Sequence, residues 1–215
     1  NPWLGALLGR TASRIAGARF TLDGKVHNLS AGGPAGSSMH GGFTGFDCRI
    51  WSGEADSDPS GATLKLSYLS PDGEEGYPGS VNVTVTYRLD DDNRFHMNWA
   101  AATDAPTIID MSSHVYLNLN GFRKRDIMNE CLRVNASRYL EKDASGTPTG
   151  NFIPVEGSPF DLRAPKRMET LSQGAVYNPI MALDGEAGVL REVAEASIPE
   201  LGRSCTLYST ARALQ

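Results

Sequence analysis

The sequence predicts an all-β fold, a large antiparallel β-sandwich. Three observations carry the prediction. Several segments alternate apolar and polar residues with a period of two. Turn-forming residues recur at short intervals, with 23 Gly and 12 Pro among 215 residues. Almost no segment reads convincingly as helix.

The elements follow in chain order. Phe20-Thr-Leu-Asp-Gly-Lys-Val-His-Asn-Leu29 is a hairpin, with Asp23-Gly24 as a type I′ turn, which needs positive φ at both central residues. Ser30 to Gly45 is dense in Gly, Ser and Pro and reads as loop. Ala62 to Leu69 and Ser80 to Leu89 alternate with period two, the second rich in β-branched residues, and read as half-buried strands. Between them lies the turn-rich Ser70-Pro-Asp-Gly-Glu-Glu-Gly-Tyr-Pro-Gly79. Arg94 to Ala101 is a strand that pairs back across the Asp90–Asn93 turn and places His96 on a strand face. Ile127 to Val134 is a further strand candidate, followed by a Pro- and Gly-punctuated stretch through Pro165. Val189 to Ile198 has helical composition but is short, and Ser204 to Thr210 alternates as a strand. The acidic clusters Asp56–Asp58 and Asp90–Asp92 read as solvated turns.

Length suits one domain or two and is read as a single domain over residues 1–215, and a 40% hydrophobic fraction is enough for a substantial core. A formal charge of −5 argues against a nucleic-acid surface. No apolar run is long enough to span a bilayer. Cys48, Cys131 and Cys205 are odd in number and far apart, which suits neither a metal motif nor a disulfide framework and points to a reduced, cytoplasmic or other intracellular compartment.

Two histidines stand out. His114 lies in Asp110-Met-Ser-Ser-His-Val-Tyr-Leu-Asn-Leu-Asn-Gly121, and His40 lies in a glycine-rich loop, followed by Gly41 and Gly42. The paired glycines leave little side-chain cover beside His40, which suits close approach of a ligand to the backbone. The simplest functional reading is that the fold brings the two histidines together at one sugar-sized site.

At this point a family resemblance enters. Asn1-Pro-Trp-Leu-Gly-Ala-Leu-Leu-Gly-Arg-Thr-Ala-Ser-Arg-Ile15 resembles the N-P-Y-F-G-x-x-x-G-R-x-A-N-R-I motif of the aldose 1-epimerase (galactose mutarotase) family. Met39-His-Gly-Gly-Phe-Thr-Gly-Phe-Asp47 resembles its L-H-G-G-x-x-G-F-D, and Ser113-His-Val-Tyr-Leu-Asn-Leu119 its N-H-S-Y-F-N-L. Ser70 to Gly79 is similar to the family loop at every position, and Thr149 to Arg163 resembles P-T-G…G-T-x-F-D-F-R.

The resemblance implies a β-supersandwich that interconverts the α and β anomers of free hexoses such as galactose and glucose. Under it, Val189 to Ile198 becomes a strand. His114 would be the general acid at the ring oxygen, because imidazole exchanges protons near neutrality. His40 would hydrogen-bond a sugar hydroxyl, and Arg14 would hold another with its fork of donors. Such chemistry needs no metal or organic cofactor.

The departures are as informative. Ser13 and Ser113 stand at motif asparagines, and Asn178, within Tyr177-Asn-Pro-Ile-Met181, stands where the family has a sugar-binding aspartate. Ala211 stands at a sugar-binding glutamine. The family's first strands and the C-terminal segment with its glutamate base have no counterpart, which implies an incomplete sandwich whose open edges call for a protein partner. Two other readings follow. One is a catalytically inactive carbohydrate-binding or structural subunit. The other is a hexose-phosphate epimerase, with Arg10, Arg14, Arg19 and Arg49 as a phosphate clamp.

Overall fold

The computed structural model describes residues 3–121, 126–172 and 177–215, which form two compact units, residues 1–115 and 116–215. Strands dominate both, and every strand ladder among the described residues is antiparallel, so the all-β expectation is met. No described helix is long and apolar enough to cross a membrane.

The first unit carries β1 (Leu7–Leu8), β2 (Arg14–Ile15), β3 (Arg19–Leu22), β4 (Lys25–Asn28), β5 (Ser38–Met39), β6 (Ser52–Asp58), β7 (Gly61–Ser70), β8 (Val81–Asp90), β9 (Phe95–Thr103) and β10 (Ser112–Ser113). The sheet β6-β7-β8-β9 is its frame. Val81, Val83 and Val85 all point to one face and are about 1% exposed, whereas Asn82, Thr84 and Thr86 point to the other. Burying each valine contributes about 1.5–2 kcal/mol before entropy is counted. Leu7 and Phe46 complete that core, packed by Trp51, Leu66, Tyr68, Tyr87 and Met111. The β3–β4 hairpin turns through Asp23 at φ 50° and Gly24 at φ 76°, the type I′ pattern expected from Asp-Gly. His96 lies on an exposed strand face, its Nε2 2.9 Å from Asp90 Oδ2.

One expectation fails here. Asp56–Asp58 is not a turn but the end of β6, paired residue by residue with β7. Every residue of β6 is exposed, so no apolar alternation marks it; its charges suit an outer strand.

The second unit carries β11 (Cys131–Val134), β12 (Ala136–Lys142), β13 (Pro148–Pro154), β14 (Lys166–Arg167), the single turn α1 (Met168–Ser172), β15 (Ile180–Leu183), β16 (Arg191–Ile198), β17 (Arg203–Ser209) and β18 (Ala213–Leu214). Two sheets, β14-β11-β16-β17 and β13-β12-β15-β18, share one core of Val134, Ala136, Val155, Leu162, Met181, Leu183, Val193 and Ala194. β16 is the strand that its helical composition obscured, since pairing on both sides overrides propensity. β12 and β13 fall in the stretch read as irregular.

Candidate active site

The site residues of the first unit are brought together by two short pairings. β2 pairs with β5, setting Arg14 opposite Met39 and so placing His40 one residue beyond the ladder. β1 pairs with β10, setting Leu7 opposite Ser113 and placing His114 one residue beyond that ladder. The His114 amide donates to Ala6 O over 2.8 Å, and its carbonyl accepts from the Gly5 amide over 3.0 Å. These bonds tie His114 to the segment bearing Trp3.

The three rings form a cluster. The Trp3 and His40 centroids are 4.7 Å apart, edge to face at 63°, and those of His40 and His114 are 5.5 Å apart at 75°. Both histidines are half-buried.

His40 is fixed in backbone and ring alike. Its φ is 52°, its amide donates to Ser13 O over 3.0 Å, and its Nδ1 accepts from the Ser13 amide over 3.1 Å. An Nδ1 that accepts a hydrogen bond carries no proton, so the neutral ring bears its hydrogen on Nε2. Burial, then the neighbouring His114 and Arg14, lower the His40 pKa to about 4 against the opposing pull of Asp47. His40 is therefore a neutral donor through Nε2 at neutral pH. Arg14 lies close enough for its charge to act on His40.

The glycines after His40 have a different cause from the one expected. A Cβ on Gly41 would lie 1.8 Å from Gly9 O, and one on Gly42 2.1 Å from Glu75 Oε2. The protein's own atoms, rather than a ligand, demand glycine there. Phe46 anchors the end of the loop in the core. Its amide donates to Gly9 O over 3.2 Å, and its ring lies where a Gly9 Cβ would be.

The phosphate clamp fails on Arg10, which is 2% exposed. Its guanidinium donates to Ser70 Oγ at 2.8 Å and to the carbonyls of Ser70, Pro71 and Pro78 at 3.1, 2.8 and 2.9 Å. It is a strut for the 70–79 loop. Arg49 is engaged with Glu74 at 3.1 Å.

Asn178 belongs to the second unit, where it is exposed. Its Oδ1 accepts from Gln215 Nε2 over 3.0 Å and its backbone carbonyl accepts from Lys142 Nζ over 2.6 Å. Ala211 is exposed, and its carbonyl accepts from Arg191 over 2.9 Å. Among the described residues, no group of three or more His, Cys, Asp or Glu could hold a metal ion.

Sequence reasoning missed Trp3, Asp47 and the backbone of Ser13 as neighbours of His40. Trp3 and Ser13 lie inside the first motif and Asp47 closes the second, so position in a motif was their only signal.

The rat galactose mutarotase is 42% identical over 164 residues, which are 76% of this chain and 46% of that protein. The Escherichia coli (strain K12) aldose 1-epimerase is 39% identical over 164 residues, with the same coverage. The chain thus spans about half the length of the curated relatives it matches. A solved galactose 1-epimerase from Lactobacillus acidophilus superposes with a TM-score of 0.81 at 27% identity, over 91% of this chain and 58% of that one. A GalM/aldose epimerase homologue from C. elegans, at 23% identity, shares the fold with a TM-score of 0.80 over 91% of this chain and 59% of its own. These likenesses give the chain the galactose mutarotase-like β-sandwich fold. The family model described as aldose 1-epimerase matches residues 1–215, and this chain belongs to the aldose 1-epimerase family.

Proposed function

We propose that the protein carrying this chain interconverts the α and β anomers of free hexoses such as galactose and glucose. The observation that carries the reading is the pairing of His40 and His114, with ring centroids 5.5 Å apart and His40 held neutral. His114 gives a proton to the ring oxygen while a base takes the proton of the anomeric hydroxyl. The bond between C1 and the ring oxygen breaks, leaving an open-chain aldehyde. Rotation about the C1–C2 bond and closure on the other carbonyl face give the other anomer. A neutral His40 donates to a sugar hydroxyl through Nε2 without competing for the proton that His114 transfers. Arg14 supplies a second set of donors.

We read residues 1–215 as one mutarotase-like domain, since the family model spans them all. An intracellular setting suits the free thiols of Cys48, Cys131 and Cys205.

Polarimetry of freshly dissolved α-galactose tests the reading. The natural protein accelerates the approach to equilibrium rotation, and His114→Asn removes about 10²- to 10⁴-fold of that rate, the usual contribution of a positioned general acid. An unaccelerated approach, or a His114→Asn rate equal to that of the unaltered protein, overturns it.

A further inference from the structure

Ser13 holds His40 at the start of its loop, the Gly42 amide donates to Met39 O over 3.0 Å, and Phe46 closes the far end, while Phe43 between them is 70% exposed. The amides of Phe43 and Thr44 are bonded from the 70–79 loop.

That loop is rigidly built. Gly73 donates to Tyr77 O over 2.9 Å, Tyr77 to Glu74 O over 2.9 Å and Gly76 to Gly73 O over 3.0 Å. The Tyr77 hydroxyl lies 2.6 Å from Thr11 Oγ1, and Arg10 binds three of the segment's carbonyls from below. The Glu74 carboxylate is taken up by Tyr68, Ser70 and Arg49.

Glu75 carries the loop's contact to the 42–44 segment. Its side chain is 11% exposed. Oε2 accepts from the Phe43 amide over 2.9 Å, and Oε1 accepts from the Thr44 amide over 3.2 Å and from the Thr44 hydroxyl. Gly42 lacks a Cβ because Glu75 Oε2 occupies that place. Glu75 itself sits at φ 50°, a strained conformation for a residue with a side chain, which the bonds around it sustain. Burial pushes its carboxyl pKa up, yet hydrogen bonds from Thr44, Ser30 and Phe43 hold it below the usual range, so it is ionised.

We propose that Glu75 is the positioning residue of the sugar-binding loop: its carboxylate clamps the Phe43 and Thr44 amides and thereby aims His40 Nε2 at the substrate hydroxyl. This rests on the anomer-interconverting function proposed above. The chemistry of the clamp is specific. Both carboxylate oxygens face backbone donors, so glutamine would set its own N–H₂ against one amide and lose about half the clamp.

The test is a double-mutant cycle on the natural protein with galactose, using Glu75→Gln and His40→Gln. Glu75→Gln raises KM about tenfold, equivalent to one charge-assisted hydrogen bond, and leaves kcat within about twofold. In the His40→Gln background the same change costs less than about twofold, because the group it aims is gone. Thr44→Val, which removes one exposed hydroxyl, shifts KM in the same direction by about twofold to threefold and covers the case in which Glu75→Gln fails to fold. Imidazole ¹⁵N spectra give a readout free of turnover: the His40 resonances shift in Glu75→Gln, while the Nε2–H form that Ser13 sets is kept. An unchanged KM, multiplicative effects in the cycle, or an unchanged His40 spectrum overturns the proposal. Loss of KM dependence on His40 itself would instead defeat the functional reading on which it rests.

Discussion

The Ser13 amide donates to Nδ1 of His40 over 3.1 Å, and the Ser13 carbonyl accepts from the His40 amide over 3.0 Å. This reciprocal pair uses only the backbone of Ser13. It explains how serine can replace the motif asparagine without loss of the bond that sets the His40 tautomer. What asparagine brings is tolerance of left-handed backbone, and Ser13 has φ 57°.

Ser13→Asn therefore raises thermal stability slightly, by up to about 1 kcal/mol, and leaves sugar affinity unchanged. Thermal melting beside a galactose titration checks both. A marked fall in stability would show that the serine side chain carries a role of its own.

A pH series followed on the Cε1–H resonance of His40 is expected to show a midpoint lowered to about 4. The unfolded chain binds a proton at the ordinary histidine value of 6.5, whereas the folded chain resists until about 4. Stability is thus full above pH 6.5 and falls as pH drops from 6.5 to 4; below that this group adds no further loss. Denaturant unfolding at pH 7.5 and pH 5, with His40→Gln as reference, isolates the His40 share. Equal pH dependence in both proteins would contradict it.

Two glycines separate space from backbone strain. Gly5 has φ 74° and nothing lies within 4 Å of the place a Cβ would take, so Gly5→Ala costs only the left-handed penalty, about 1–2 kcal/mol. Gly41 has φ 95° and would bring its Cβ within 1.8 Å of Gly9 O, so Gly41→Ala costs about 3 kcal/mol or more and disorders the His40 loop. Urea unfolding of the two variants ranks them.

Arg10→Met destabilises by about 3 kcal/mol or more, because the acceptors at Ser70, Pro71 and Pro78 lose their donor inside the protein. Its effect on sugar turnover comes through loss of folded protein, seen when activity is normalised to the folded fraction by circular dichroism.

Much of this architecture is legible in the sequence where a physical rule is local. Asp23-Gly24 demands two positive φ values, and the valines of Ser80 to Leu89 alternate about a single core face. β6 was hidden because an exposed outer strand needs no apolar residues. β12 and β13 were hidden by the Pro and Gly that bound them. Of the site, the motifs single out His40, His114 and Arg14, and the first unit brings these near one another. The reason for Gly41 and Gly42 could not be read, since the atoms that exclude a side chain, Gly9 O and Glu75 Oε2, are about 30 residues away in sequence. Arg10 and Arg14 look equivalent in one dimension, yet one is a buried strut and the other lies beside His40.

The most direct test of a single sugar site is a galactose titration of the natural protein, following the imidazole resonances of His40 and His114 together. The account predicts that both move along one binding curve with a common Kd, and that His40→Gln weakens the response of His114. Two different Kd values, or a shift of one ring without the other, would contradict it.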